Sequence, residues 1–175
     1  MSSKCVVIVD MQNDFIDGAL GTDEAQEMLP KLVNKLGTVR DVDLIFTQDT
    51  HHKDYLSTQE GKNLPVEHCI EGEKGWEICS ALQPYLDKAK AVIKKPAFGS
   101  MELPSLVKEY DEVELVGLCT DICVISNAMI LKAASPEQKI AVDASCCAGV
   151  TPESHEGALK AMKMCQIEIR NSSDM

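Results

Sequence analysis

Short runs rich in Val and Ile recur along this chain, each too far from the next for a hairpin: CVVIVD (5–10), VDLIFTQD (42–49), AVIKK (91–95), EVELVGL (112–118), KIAVDAS (139–145) and QIEIR (166–170). Between them, around 23–38, 74–89, 103–110, 121–134 and 153–164, apolar residues return every three or four positions, the period of an amphipathic helix. Apolar strands alternating with helices have the rhythm of a parallel sheet, because each helix carries the chain back along a face of the sheet. The expected fold is therefore α/β: a three-layer α/β/α doubly wound sandwich on a six-stranded, mainly parallel sheet. Thr151, Pro152 and Glu153 or Ser154 stand where a cap and first turn should open the last helix.

A chain of 175 residues is enough for one core, so residues 1–175 read as a single domain. The net charge of -11 argues against nucleic-acid and anionic-membrane partners, since phosphate binding needs clustered Lys and Arg. No run approaches the length of a membrane span, and the amino-terminal segment lacks a signal-peptide pattern. A small-molecule partner and a cytoplasmic location are expected. In a reducing compartment most of the 8 cysteines read as buried small hydrophobes. The polar ending NSSDM (171–175) reads as a frayed tail.

In an open parallel sheet, ligands bind at the carboxyl ends of the strands where strand order reverses. There the sequence offers Asp10, Asp49 with His51 two residues on, Lys95, and a strand-to-helix junction, GLCTDICV (117–124), holding Cys119 and Cys123. If Thr120 caps the following helix, Cys123 falls in its first turn, where unpaired N–H groups and the helix dipole favour a thiolate. Asp10 could take its proton, Lys95 would favour both anions, and the backbone N–H groups of Cys119 and Cys123 could hold an oxyanion. Together they suit acyl transfer through a thioester.

Five segments, VIVDMQNDF (7–15), TQDTHHKDY (47–55), LPVEHCIEG (64–72), KKPAFGS (94–100) and VGLCTDICV (116–124), resemble in order and spacing the isochorismatase-like cysteine hydrolases, nearest the nicotinamidase-related amidases. The resemblance spans almost the whole chain. It implies an Asp-Lys-Cys triad on Asp10, Lys95 and Cys123, and a cis peptide between Leu118 and Cys119. It also implies a homo-oligomer and no organic cofactor. Asp49, His51 and His68 form a donor set suited to zinc, with iron or manganese as alternatives. Where metal-bearing relatives carry a further histidine, this chain has Tyr55, and Leu64 stands near a position often held by tryptophan. Phe15 and Phe98 are candidate walls for a flat ring. His52 and His155 are expected on the surface.

The function expected is hydrolysis of a small carboxamide, nicotinamide first, to an acid and ammonia. Other small amides or N-carbamoyl compounds are alternatives, as are a catalytically silent binding protein and a thiol redox protein. The redox reading is weakened by the Cys-x-x-x-Cys spacing, since redox pairs favour Cys-x-x-Cys. Isochorismatase activity proper is disfavoured because vinyl-ether hydrolysis needs no thiol.

Overall fold

A computed structural model describes residues 3–172, so residues 173–175 of the expected frayed tail lie outside the described residues. Six strands form one sheet: β1 (Lys4–Val9), β2 (Val42–Asp49), β3 (Ala91–Lys95), β4 (Glu112–Leu118), β5 (Lys139–Ala148) and β6 (Glu168–Arg170). Their order is β3-β2-β1-β4-β5-β6, and every pairing is parallel. Strand order reverses between β1 and β4, the position at which a crevice opens in doubly wound sheets.

Period-2 alternation in β1 shows how one strand serves two cores. Val7 and Val9 face one layer with Leu115, Leu131 and Leu159, while Val6 and Ile8 face the other with Phe46, Met28 and Leu32. These β1 side chains are all 3% exposed or less, and burying each contributes about 1.5–3 kcal/mol before entropy is counted. The first layer carries helices α5 (Leu103–Val107), α6 (Ile125–Ala134) and α7 (Pro152–Met164); the second carries α1 (Asn13–Ile16), α2 (Asp23–Thr38) and α4 (Gln83–Leu86). A short helix, α3 (Gln59–Asn63), lies in the long loop after β2. Thr151 caps α7 as expected, accepting from Ser154 N at 3.1 Å with Pro152 in the first turn.

The helix expected over 74–89 is replaced by tight turns at Lys74–Trp76 and Ser80–Leu82 followed by the single turn of α4. The backbone between them pairs with the segment leaving β1: Asn13 N donates to Glu77 O at 3.0 Å and Cys79 N to Met11 O at 2.9 Å. Those long-range bonds use groups that a helix would need internally, and Pro84 further discourages a continuous ladder. The helix expected over 121–134 also starts later than its periodicity suggests. Residues Thr120–Val124 make one wide π-type turn, with Val124 N donating to Cys119 O at 3.0 Å, before α6 begins.

Candidate active site

Asp10 leaves the carboxyl end of β1 with a positive φ of 47°, a conformation that turns it away from the strand direction. Thr47 Oγ1 on β2 donates to Asp10 Oδ1 at 2.7 Å and so fixes the carboxylate. Lys95 pairs in register with Asp49 across β2 and β3, so their side chains emerge on the same face. Lys95 Nζ lies 2.6 Å from Asp10 Oδ2, 3.5 Å from Cys123 Sγ and 3.4 Å from Asp49 Oδ1, and it donates to Ala97 O at 3.0 Å. Asp10 is fully buried, Lys95 1% exposed and Cys123 4% exposed. The three groups expected to form a triad therefore lie together at the switch point.

Burial sets the charges here. It raises the Asp10 carboxyl above the ordinary aspartate value against the opposite pull of Lys95, and the Asp49 charge adds to the rise. The Cys123 thiol is raised well above its ordinary value by burial and then by the Asp10 charge, with Lys95 opposing. Lys95 is raised although burial alone would lower it, because Asp10, Cys123 and Asp49 surround it. One fixed cation faces several groups that could be anionic. Burial and the Asp10 charge therefore work against the thiolate that the helix start and Lys95 were expected to favour.

The Leu118–Cys119 peptide is cis, as the resemblance implies, and the chain passes from it directly into the wide turn that carries Cys123. Thr120 does not cap that turn with its side chain. Its buried hydroxyl instead lies 2.7 Å from His155 Nδ1. His155 is correspondingly half-buried rather than on the surface, because α7 is drawn against the turn at Thr120–Val124. His52, by contrast, is exposed as expected, its side chain 69% accessible.

Beside the triad, Asp49, His51, Glu60 and His68 bring one ligand atom each to within 4.8 Å of one another. His51 Nε2 is 3.0 Å from Asp49 Oδ2 and 3.5 Å from Glu60 Oε1; His68 Nε2 is 3.7 Å and 3.6 Å from the same two atoms. His68 Nδ1 is bonded to Val66 O at 2.8 Å, which leaves Nε2 to the cluster. Two imidazole nitrogens and two carboxylates, three of the residues buried and Glu60 half-buried, match the donors zinc and other first-row divalent ions prefer, so the residues fit a metal.

Glu60 was not foreseen from the sequence. Thr58 caps α3 by accepting from Gly61 N at 3.0 Å, and Glu60 lies in the first turn of that helix; the Thr-x-x-Gly spacing was the available signal for the helix start. Tyr55, where a ligand histidine was expected, is fully buried with its ring 4.7 Å from His51 and 5.0 Å from His68. Its hydroxyl donates to Leu64 O at 2.8 Å. Tyr55 therefore braces the two histidines and the loop instead of joining the ligand group.

A narrow, mostly apolar cleft joins the two constellations. Phe15, Leu20, Leu64, Phe98 and Ile122 wall it, Cys119 and Cys123 lie at one side, and Asp49, Glu60 and His68 at the other. Phe15 and Phe98, the two expected walls, both line this cleft, Phe15 with its ring centroid 5.6 Å from that of His68. The residues after Asp10 hold the walls in place. Gln12 binds Asp49 through both ends of its amide, at 2.7 and 2.8 Å, and Asp14 Oδ2 accepts from Cys69 N at 2.8 Å next to His68.

A parallel sheet whose switch point buries an acid, a lysine and a thiol beside a metal-ligand group defines an α/β enzyme of the cysteine-hydrolase type. The chain belongs to the isochorismatase family: the Isochorismatase domain model matches residues 4–174. It is 28% identical to a nicotinamidase of Acinetobacter baylyi over 173 residues, covering 79% of each chain. It is 26% identical to a nicotinamidase/pyrazinamidase of Mycobacterium tuberculosis, covering 97% of this chain and all of the relative. Among solved structures, a nicotinamidase/pyrazinamidase of Bacillus subtilis superposes with a TM-score of 0.81 at 26% identity, over 97% of this chain and 100% of that one. A pyrazinamidase of Pyrococcus horikoshii solved with zinc shares the fold, with a TM-score of 0.81 at 24% identity over 97% and 99% of the two chains.

Proposed function

We propose that this chain is a cysteine amidohydrolase that converts a small aromatic carboxamide, nicotinamide in first place, to the acid and ammonia. The observation that carries this reading is the contact of Lys95 with both Asp10 and Cys123, the latter lining a cleft walled by Phe15 and Phe98. The named activities of the relatives of similar length support it.

In this reading Cys123 Sγ attacks the amide carbonyl as Asp10 takes the thiol proton, which leaves the number of negative charges beside Lys95 unchanged. The backbone N–H groups of Cys119 and Cys123 receive the carbonyl oxygen as it becomes anionic. Asp10 then passes the proton to the leaving nitrogen, so that the C–N bond breaks with ammonia as product and a thioester on Cys123. Water, deprotonated by Asp10, attacks the thioester; the acid leaves and the proton returns to sulfur. Lys95 stays protonated throughout and compensates whichever group holds the charge.

Asp49, His51, Glu60 and His68 would hold a divalent ion, with zinc as the first candidate. When bound, the ion would offer a Lewis-acid contact to a ring nitrogen and so orient the amide. The acidic chain supports a small-molecule partner over nucleic acid. Residues 1–175 as one domain, a cytoplasmic location and homo-oligomeric assembly complete the proposal; no helix among the described residues is long and apolar enough to cross a membrane.

The test is ammonia release from nicotinamide, pyrazinamide, aliphatic amides and N-carbamoyl compounds, with and without chelator, for the parent chain and Cys123→Ala. Aromatic amides should be preferred and Cys123→Ala inactive. Full activity in Cys123→Ala would end the mechanism, and preference for an N-carbamoyl compound would replace the substrate class.

A further inference from the structure

Asn127 lies in the first turns of α6, completely buried, one helical turn beyond Cys123. A buried amide in a helix is unfavourable unless its donors and acceptor are matched, and here they are. Asn127 Oδ1 accepts from Ser100 N at 2.9 Å, while Nδ2 donates to Cys123 O at 2.8 Å and to Phe98 O at 3.3 Å. The two carbonyls and one N–H allow a single orientation of the amide. One side chain thus ties the nucleophile's own backbone to both ends of the tripeptide Phe98–Ser100.

Phe98 is 44% exposed, so packing holds its ring only in part. The chain before it is anchored where Lys95 Nζ donates to Ala97 O at 3.0 Å, and the chain after it where Ser100 Oγ accepts from Glu102 N and Leu103 N at 3.2 and 3.3 Å at the start of α5. Gly99 lies against α6, where a side chain would run into the tip of Ile130 beside Ser126.

We infer that Asn127 is a positioning residue that sets the separation between the Phe98 ring and the Cys123 sulfur, and through it the selectivity of the cleft for aromatic over small aliphatic groups. The inference rests on the amidase reading for its kinetic arm only. Lys95 is held by β3 and Asp10 as well as by Ala97 O. A hydroxyl at position 127 can keep the bond to Cys123 O, so releasing only the loop moves the ring wall without dismantling the triad.

The experiment compares Asn127→Thr, Asn127→Ala, Phe98→Ala and the two double variants. Thr keeps a hydroxyl able to bond the carbonyl one turn back but cannot reach the loop. With an aromatic amide as substrate, Asn127→Thr should raise KM about tenfold, with the smaller share of the effect on kcat. In a Phe98→Ala background the same change should add nothing further to KM. The second arm needs no turnover. The rate of Cys123 alkylation by N-phenyl iodoacetamide relative to iodoacetamide, read on the Cys123 peptide by mass spectrometry, should fall about tenfold in Asn127→Thr and no further in the double variant.

Effects that add fully to Phe98→Ala, or an alkylation ratio equal to that of the parent chain, would overturn the inference. Should Asn127→Ala lose its far-ultraviolet circular dichroism because Ser100 N and Cys123 O are stranded, Asn127→Thr decides. If no aromatic amide is hydrolysed, the proposed function falls by itself, and the alkylation ratio still decides the role of Asn127.

Discussion

Lys95 Nζ lies 2.6 Å from Asp10 Oδ2 with both side chains withdrawn from solvent, and the same nitrogen is 3.5 Å from the Cys123 sulfur. A lysine this deeply buried persists only because carboxylates face it, and those carboxylates persist only because of it. Stability and reactivity of the site are therefore properties of one cation.

Lys95→Met should remove that cation and leave Asp10 and Asp49 facing each other without compensation. Breaking a buried pair from one side costs about 3–5 kcal/mol, so the urea midpoint should fall markedly. Ammonia release should drop about 10²–10³-fold, as when an electrostatic partner of the transition state is lost. A variant with parent-like kcat/KM would mean that Lys95 serves only to neutralise the core.

The dependence of kcat/KM on pH should carry the signature of Asp10. As the base it must be ionised. Burial and Asp49 raise its pKa, Lys95 lowers it, and the outcome lies above the ordinary value of 3.8. The rate is then lost, as pH falls, at a higher pH than an ordinary aspartate would dictate. The Cys123 thiol lies well above its ordinary value, so no fall should appear through neutral and mildly alkaline pH. An acid limb at or below the ordinary aspartate value, measured with buffers of constant ionic strength, would remove Asp10 from the role of base.

Glu60→Ala should weaken zinc binding by more than about tenfold, measured by competition with a chromophoric chelator, because it removes one of four converging ligands. Tyr55→Phe keeps the ring between His51 and His68 and loses only the bond to Leu64 O, and should change zinc affinity far less. The reverse order would make Tyr55 the ligand and Glu60 a bystander.

Gly117→Ala should damage fold and site together. Gly117 has φ of 115° and pairs in register with Val9, and a side chain there would press into the Val9 backbone next to Asp10. A destabilisation of more than about 2 kcal/mol by denaturant titration is expected. Activity should fall further than the unfolded fraction explains, because β1 must shift and carries Asp10 with it. Parent-like stability would show that β1 yields without cost.

Strand positions were legible because a strand buried on both faces is largely apolar along its length, as in β4. Strand β2 and the edge strand β3 also coincide with their Val- and Ile-rich runs, although Val92 and Lys94 are exposed. Asp10, Lys95 and Cys123 were legible for a related reason. Reactive polar residues closing such runs have few structural uses, and a parallel sheet brings the carboxyl ends of its strands to one edge. The helix expected over 74–89 was not, since its apolar period serves two turns whose backbone pairs with residues 11–13, and no local pattern reports a distant partner.

What the amino-acid order determined by itself is thus the alternation of strands and helices, the α/β class, and which residues stand at the strand ends. Only the tertiary structure decided what those residues become. It made the Asp10 carboxyl and the Cys123 thiol harder to ionise than their types suggest, because their pKa values follow from burial and from the single ammonium among them. It turned Glu60 toward His51 and His68, gave Tyr55 to their packing, and set Asn127 between Phe98 and Cys123. The physical reason is common to all of these: ligation, ionisation and positioning depend on distances between atoms far apart in the chain, and folding alone supplies those distances.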